Sequence, residues 1–207
     1  TDAIQAVNYC DINIARLGID MMTISGSKIY GPKSIGALFV KNKTLIDPII
    51  FGGAQESGLR SGTEDSARVA GFARALQISQ DIKETEVARL TTLRDFVIDE
   101  LLKDERVTLN GSQTDRLPNN INVTVRGYSG ESLVIQLAET GFAVSSKSAC
   151  QSDSDEESHV IAALRKANGI IGNSEEGSLR ITLGRSTKEK DVKRFWRSFQ
   201  TILDNII

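Results

Sequence analysis

The sequence predicts an α/β fold, and three observations carry that prediction. Apolar runs of strand length (residues 19–24, 35–40, 120–125 and 178–183) alternate with longer segments whose apolar residues recur at helical spacing. Glycine- and serine-rich breaks separate the runs. A composition of 40% hydrophobic and 25% charged residues over 207 positions is that of a globular chain able to bury a core.

The elements follow in order. The apolar run at 19–24 reads as a buried strand that breaks into Ser25-Gly26-Ser27. Residues 35–40, Ile-Gly-Ala-Leu-Phe-Val, form the next strand and are apolar enough to be buried on both faces. Residues 51–58 are a glycine-rich loop. Thr63 is placed to cap a helix over residues 66–81, whose apolar stripe is Val69, Phe72, Ala75 and Leu76. A second helix spans 84–102, with Val87, Leu90, Leu93, Phe96, Val97 and Leu101 on one face. Beyond it come strands at 106–109 and 120–125, a helix at 129–139, a strand at 142–145, a helix at 158–167 and a strand at 178–183. A final amphipathic helix over 188–206 carries Val192, Phe195, Trp196, Phe199, Ile202 and Leu203. The domain boundary falls near residues 81–84, giving domains 1–83 and 84–207. No internal repeat or low-complexity tract interrupts this order.

Composition narrows the function. A net charge of −2 with no basic stripe argues against nucleic acid as a partner. No apolar stretch is long enough to span a bilayer and no signal peptide is evident, so the expectation is no membrane and a cytoplasmic setting. Two cysteines and the single His159 argue against a structural zinc site, and reduced thiols are expected for Cys10 and Cys150. His159 reads as a surface or helix N-terminal residue, and Arg185 as structural.

The chemistry concentrates around Lys28. A lysine directly after a strand and a Ser-Gly-Ser turn can form a Schiff base with an aldehyde, while the small polar residues, with their N–H and hydroxyl groups, can hold a phosphate. Pyridoxal 5'-phosphate satisfies both conditions. Upstream, Asp2 and Gln5 stand at the spacing D-x-x-Q; the carboxylate suits a protonated pyridine nitrogen and the amide suits a ring hydroxyl. Arg180 interrupts an apolar strand, where an unpaired guanidinium is costly and a carboxylate ligand would compensate.

Taken together, Asp2-Ala3-Ile4-Gln5-Ala6, Ser25-Gly26-Ser27-Lys28-Ile29-Tyr30-Gly31-Pro32-Lys33, Arg60-Ser61-Gly62-Thr63, Ala143-Val144-Ser145-Ser146-Lys147-Ser148-Ala149-Cys150 and Ser178-Leu179-Arg180-Ile181-Thr182-Leu183-Gly184-Arg185 closely resemble the cysteine desulfurases, class V enzymes of the aminotransferase-like fold. The motifs occur in that family's order along essentially the whole chain. The resemblance implies the type I fold of pyridoxal-phosphate-dependent transferases, with 1–83 the end of the large cofactor domain and 84–207 the small C-terminal domain. It implies conversion of L-cysteine to L-alanine, with the sulfur carried as a persulfide on Cys150 toward an acceptor such as an iron–sulfur scaffold or a thio-modification partner.

Site roles follow from the same resemblance. Lys28 and Cys150 are catalytic, with the Lys28 amine kept neutral by burial near the ring. Asp2, Gln5, Ser25, Ser27 and Lys28 bind the cofactor, and Thr63 reaches the phosphate of a neighbouring subunit. Arg180 binds the substrate carboxylate. Two departures stand out: Ser27 replaces a histidine common in relatives, and Lys147 replaces a glycine. The loop from 145 to 158 is polar and reads as mobile.

The family's chains are about twice as long, and the half that supplies the remaining cofactor contacts has no counterpart here. A homodimer, or pairing with a separate N-terminal polypeptide, is therefore expected. Two other readings remain open: a non-catalytic scaffold or one half of a split enzyme, and a selenocysteine lyase.

Overall fold

The computed structural model describes residues 1–146, 158–167 and 177–205. It resolves into two compact units, residues 1–86 and 87–207.

In the first unit, the opening residues run beside a strand. Asp2 bridges Thr23 in parallel, with Ala3 N–H donating to Thr23 at 3.0 Å and Thr23 N–H donating to Thr1 at 3.0 Å. A single 3-10 turn at Ala6–Asn8 and a short helix, α1 (Ile14–Leu17), lead back to that strand, β1 (Met21–Ser25). Asn13 caps α1 by accepting from the Ala15 and Arg16 amides, and Gly18 closes it at φ 63°, a conformation costly for a residue with a Cβ.

A second 3-10 turn, Gly26–Ile29, carries Lys28, and β2 (Gly36–Val40) returns antiparallel to β1, with Ser25 opposite Gly36 and Met21 opposite Val40. Helix α2 (Ser66–Asp81) supplies the wall behind this ribbon. Its cap is Asp65, whose carboxylate accepts from the Arg68 amide at 3.0 Å; the cap expected at Thr63 falls two residues later.

Two burial expectations fail here for one reason. Of β1 only Met22 is buried, and Gly36, Ala37 and Leu38 of β2 are exposed. Among the described residues β1 and β2 form a two-stranded sheet joined by one further bridge, Asp2 to Thr23, so their apolar character is not matched by cover on both faces. On α2, Val69 is exposed, and the buried stripe is Phe72, Ala75 and Ser79.

The second unit is a three-stranded antiparallel sheet with helices. Helix α3 (Lys83–Leu101) buries Leu90, Leu93, Arg94, Val97, Ile98 and Leu101. Strands β3 (Val107–Leu109), β4 (Asn120–Val125) and β5 (Ser178–Thr182) lie in the order β3-β4-β5. Helix α4 (Gly130–Glu139) begins at Ser129, whose hydroxyl accepts from the Ser132 amide at 3.1 Å. Helix α5 is His159–Ala167 and helix α6 is Glu189–Asp204.

Alternation on β4 and β5 sends Ile121, Val123, Leu179 and Ile181 into the core, where Leu133 and Leu137 of α4 and Phe199 and Leu203 of α6 are also fully buried or nearly so. Phe195 stacks on Phe199 at 5.9 Å between centroids and meets Phe142 edge-on at 5.5 Å.

The strand expected at 142–145 does not form. Gly141, at φ 86°, donates to Ala138 at 2.9 Å and Phe142 donates to Leu137 at 3.0 Å, the paired bonds of a Schellman closure of α4. That closure uses the Phe142 amide, and only Ser145 remains to bridge Arg180.

Candidate active site

Lys28 is delivered by the geometry of its turn. Three close approaches seat the turn on α2. A Cβ on Gly31 would lie 2.9 Å from the Ala75 Cβ, one on Gly71 would lie 2.8 Å from the Pro32 ring, and one on Gly26 would meet both Pro32 and Phe72. Only residues without a Cβ allow this contact. Ile29 is fully buried, while its neighbour Lys28 projects outward and is exposed. The expected burial of Lys28 is therefore not supplied by this chain's described residues.

Ser25 Oγ and Ser27 Oγ lie 3.2 Å apart, one at the end of β1 and one immediately before Lys28. Two hydroxyls that close can converge on one anion. Asp2 is held at the same strand by its bridge to Thr23, and its Oδ1 accepts from the Ile4 amide at 2.8 Å, which orients the carboxylate. Gln5 is exposed at the entry to the next 3-10 turn. Thr63 is exposed in the segment before α2.

Arg180 belongs to the second unit. Its backbone is paired on both sides, to Asn122 on β4 by register and to Ser145 by bonds of 2.6 and 3.1 Å. Leu179 and Ile181 face the core, so the half-buried Arg180 side chain takes the opposite face. There it lines a cleft of about 370 Å³ together with Asn110, Arg116, Asn122, Ser146 and Ser178. No acidic side chain among the described residues pairs with its guanidinium, in contrast to Arg94, which is bound to Asp95 at 2.7 Å.

Cys150, Lys147 and the rest of 147–157 lie outside the described residues. Cys10 is an exposed free thiol. His159 is the first residue of α5, as expected.

Some site residues were not anticipated from the sequence. Arg116 enters the Arg180 cleft, donating to the Ser112 and Asn110 carbonyls, and burial together with the nearby Arg94 pushes its pKa down. The polar network of Asn110, Asn122 and Thr124, with bonds of 2.7–3.2 Å, lies on the same sheet face. The alternation of Asn120, Asn122 and Thr124 with apolar residues was the readable signal for that face. Asn8 donates from Nδ2 to the Lys28 carbonyl at 2.7 Å, and nothing in the local sequence indicates this contact.

A ribbon ending in a serine pair and a lysine, and a small antiparallel α/β unit whose Arg180 pairs with no acidic side chain among the described residues, accord with a portion of a type I pyridoxal-phosphate enzyme fold. Comparison with known proteins agrees. The sequence profile described as aminotransferase class-V matches residues 1–195, and the chain belongs to that family. It is 39% identical over 207 residues to the cysteine desulfurase IscS of Dictyoglomus turgidum, covering 100% of this chain and 52% of that protein. To IscS 1 of Archaeoglobus fulgidus it is 39% identical over 205 residues, covering 99% and 53%. A solved NifS-like protein from Rickettsia africae superposes with a TM-score of 0.85 at 30% identity, over 98% of this chain and 52% of that one. The chain thus spans about half the length of the relatives it matches. The family to which it belongs is pyridoxal-phosphate-dependent, and the two relatives above are named cysteine desulfurases. Among the described residues no helix is long and apolar enough to cross a membrane.

Proposed function

We propose that this chain carries the lysine, phosphate-contact and carboxylate-contact residues of a pyridoxal-phosphate-dependent desulfurase that converts L-cysteine to L-alanine and loads the sulfur on Cys150. The observation that carries the reading is the pair of serine hydroxyls 3.2 Å apart beside Lys28, on a turn whose glycine leaves no room for a Cβ. That donor set fits a phosphate next to a covalently held aldehyde.

Bound there, pyridoxal phosphate supplies an electron sink that stabilises negative charge at the substrate's α-carbon. Lys28 holds the cofactor and moves the α-proton at Nζ. Ser25 and Ser27 donate to the phosphate, and Thr63 serves the phosphate of a neighbouring subunit. Asp2 favours the protonated ring nitrogen, and Gln5 addresses the ring hydroxyl. Arg180 grips the substrate carboxylate through its planar fork. The Cys150 thiolate forms a new S–S bond to the substrate sulfur as the carbon–sulfur bond breaks, its electron pair staying on the carbon that takes a proton to become the alanine methyl. The resulting persulfide goes to an acceptor protein such as an iron–sulfur scaffold. A cytoplasmic setting accords with this thiol chemistry.

One observation favours a second element of the reading. Leu45, Ile49 and Phe51 are at least 80% exposed. So much apolar surface in one short segment favours cover by another polypeptide surface, whether a second copy or the other part of a longer enzyme.

The test is borohydride reduction of the intact protein with its cofactor, followed by peptide mapping. The label is expected on Lys28 and absent in Lys28→Ala, together with loss of the visible absorption band. A label on Lys33 or another lysine overturns the assignment.

A further inference from the structure

An exposed lysine on a four-residue turn needs support from elsewhere in the chain to keep a defined position. A single 3-10 turn is weak by itself, because it closes few bonds and closes them with poor geometry. In the Lys28 turn the Tyr30 and Gly31 amides both donate to the Gly26 carbonyl. The Lys28 carbonyl is held from elsewhere, by Asn8 Nδ2 at 2.7 Å.

Asn8 is itself held. Its Oδ1 accepts from Ser79 Oγ at 2.8 Å, and both residues are buried, at 7% and 1% exposure. With a carbonyl on one side and a hydroxyl on the other, the Asn8 amide has one satisfactory orientation. Its backbone is anchored as well. Val7 is fully buried in one cluster with Ile29, Phe72 and Ala75, and Gln80 Nε2 donates to the Val7 carbonyl at 2.8 Å. Ser79 is the polar end of the buried stripe of α2 that begins at Phe72 and Ala75. A buried hydroxyl on that stripe has a desolvation cost that an alanine would avoid, and the bond to Asn8 offsets it.

We propose that Asn8 and Ser79 are positioning residues for Lys28. Together they form a buried relay from α2 through the Asn8 amide to the Lys28 carbonyl, which sets where the amine leaves the turn. This inference rests on the reading of Lys28 as the cofactor lysine. Asn8 and Ser79 act through the backbone and touch neither cofactor nor substrate.

The test compares Asn8→Ala, Asn8→Asp and Ser79→Ala in the intact protein, with Leu137→Ala in the second unit as a destabilised control. Without cofactor, amide hydrogen exchange is followed by mass spectrometry in peptides covering 25–31 and 120–125. Exchange in the turn is expected to rise about tenfold in Asn8→Ala and about threefold in Ser79→Ala, with β4 unchanged; each tenfold step corresponds to about 1.4 kcal/mol. Asn8→Asp, which keeps the shape but replaces the donor with an acceptor, should match Asn8→Ala.

With pyridoxal phosphate added, the pH midpoint of the lysine-linked visible band should shift in the Asn8 and Ser79 variants and stay fixed in Leu137→Ala. Unchanged exchange in the turn, or wild-type behaviour of Asn8→Asp, overturns the relay. A band midpoint that moves equally in the Leu137→Ala control also overturns it, because the effect would then be general destabilisation. If the wild-type protein links no cofactor at Lys28, the proposed function fails and the positioning role fails with it, while the exchange data still decide whether the relay holds the turn.

Discussion

The two units of this chain bury their apolar residues very differently. Among the described residues, the first unit buries Ala3, Val7, Met22, Ile29, Phe72 and Ala75, while Leu45, Ile49 and Phe51 stand almost fully exposed. The second unit buries a continuous set from α3, β4, α4, β5 and α6, including Leu90, Ile98, Ile121, Leu133, Leu179 and Phe199. Burial of a large apolar side chain is worth about 1.5–3 kcal/mol, so the second unit holds most of the chain's own hydrophobic stabilisation. The first unit achieves definition by other means: close backbone approach at Gly26, Gly31 and Gly71, and the Asn8–Ser79 bonds. Stability sits in one unit and the lysine in the other.

The largest effect that tests this contrast is expected from Phe199→Ala. The ring is fully buried and stacked on Phe195 and Trp196. Its removal should cost about 3–5 kcal/mol by loss of transfer energy plus the residual cavity. Denaturant unfolding followed by Trp196 fluorescence reads this directly. A loss under about 1 kcal/mol would mean that the second unit is not the stable part.

A smaller effect is expected in the first unit from Gly31→Ala. The added methyl would sit 2.9 Å from the Ala75 Cβ and 3.1 Å from the Gly26 carbonyl, so the turn must lift from α2. Overpacking of this kind costs about 1–3 kcal/mol. The displacement should appear as faster exchange in residues 25–31 with β4 untouched. Equal change in both units would show that they unfold together.

Titration offers a third and weaker probe, confined to the second unit. Asp104 accepts from the Arg106 side chain and amide, and this hydrogen bonding holds its carboxyl below the ordinary range. Arg106 also donates to the Leu203 carbonyl at 2.8 Å, tying β3's approach to the end of α6. A carboxyl whose folded pKa is depressed contributes stability above its unfolded value, near pH 4, and loses it as pH falls through the folded value. The pair is partly exposed, so the contribution is of the order of 1 kcal/mol or less. Asp104→Asn should flatten the acid limb of the second unit's stability curve, measured as melting temperature between about pH 5 and pH 2. An unchanged limb removes the pair from the account.

What the sequence made legible follows the same division. In the second unit, period-2 and helical patterns place β4 and the face of α6 correctly because both elements bury one side against a real core. In the first unit, apolar runs at 19–24 and 35–40 suggested burial that the two-stranded ribbon does not provide, since sequence shows hydrophobicity and not what covers it. The serine pair beside Lys28 and the outward Arg180 were readable from residue type and strand alternation. Asn8 and Ser79 were not, because their pairing joins positions far apart in the chain and each residue looks like ordinary surface. The strand misread at 142–145 was lost to the hydrogen bonds that close α4, which depend on Gly141 adopting a positive φ.

The smallest effect on folding, and the sharpest test of the contrast, comes from the exposed segment of the first unit. Leu45→Ser and Phe51→Ser change side chains that are 97% and 80% exposed, so each removes little burial among the described residues. Each should alter unfolding free energy by no more than about 0.5 kcal/mol. If this surface is covered by another polypeptide, the same substitutions should weaken association, because the apolar area they delete is buried only in the assembly. Sedimentation velocity of wild-type and double-variant protein at matched concentrations separates the two quantities. A shift toward smaller species with unchanged unfolding places the segment at an interface. Unchanged sedimentation together with unchanged unfolding would show that the first unit tolerates its exposed apolar residues uncovered, and that its sparse core and glycine contacts hold it together without a partner surface.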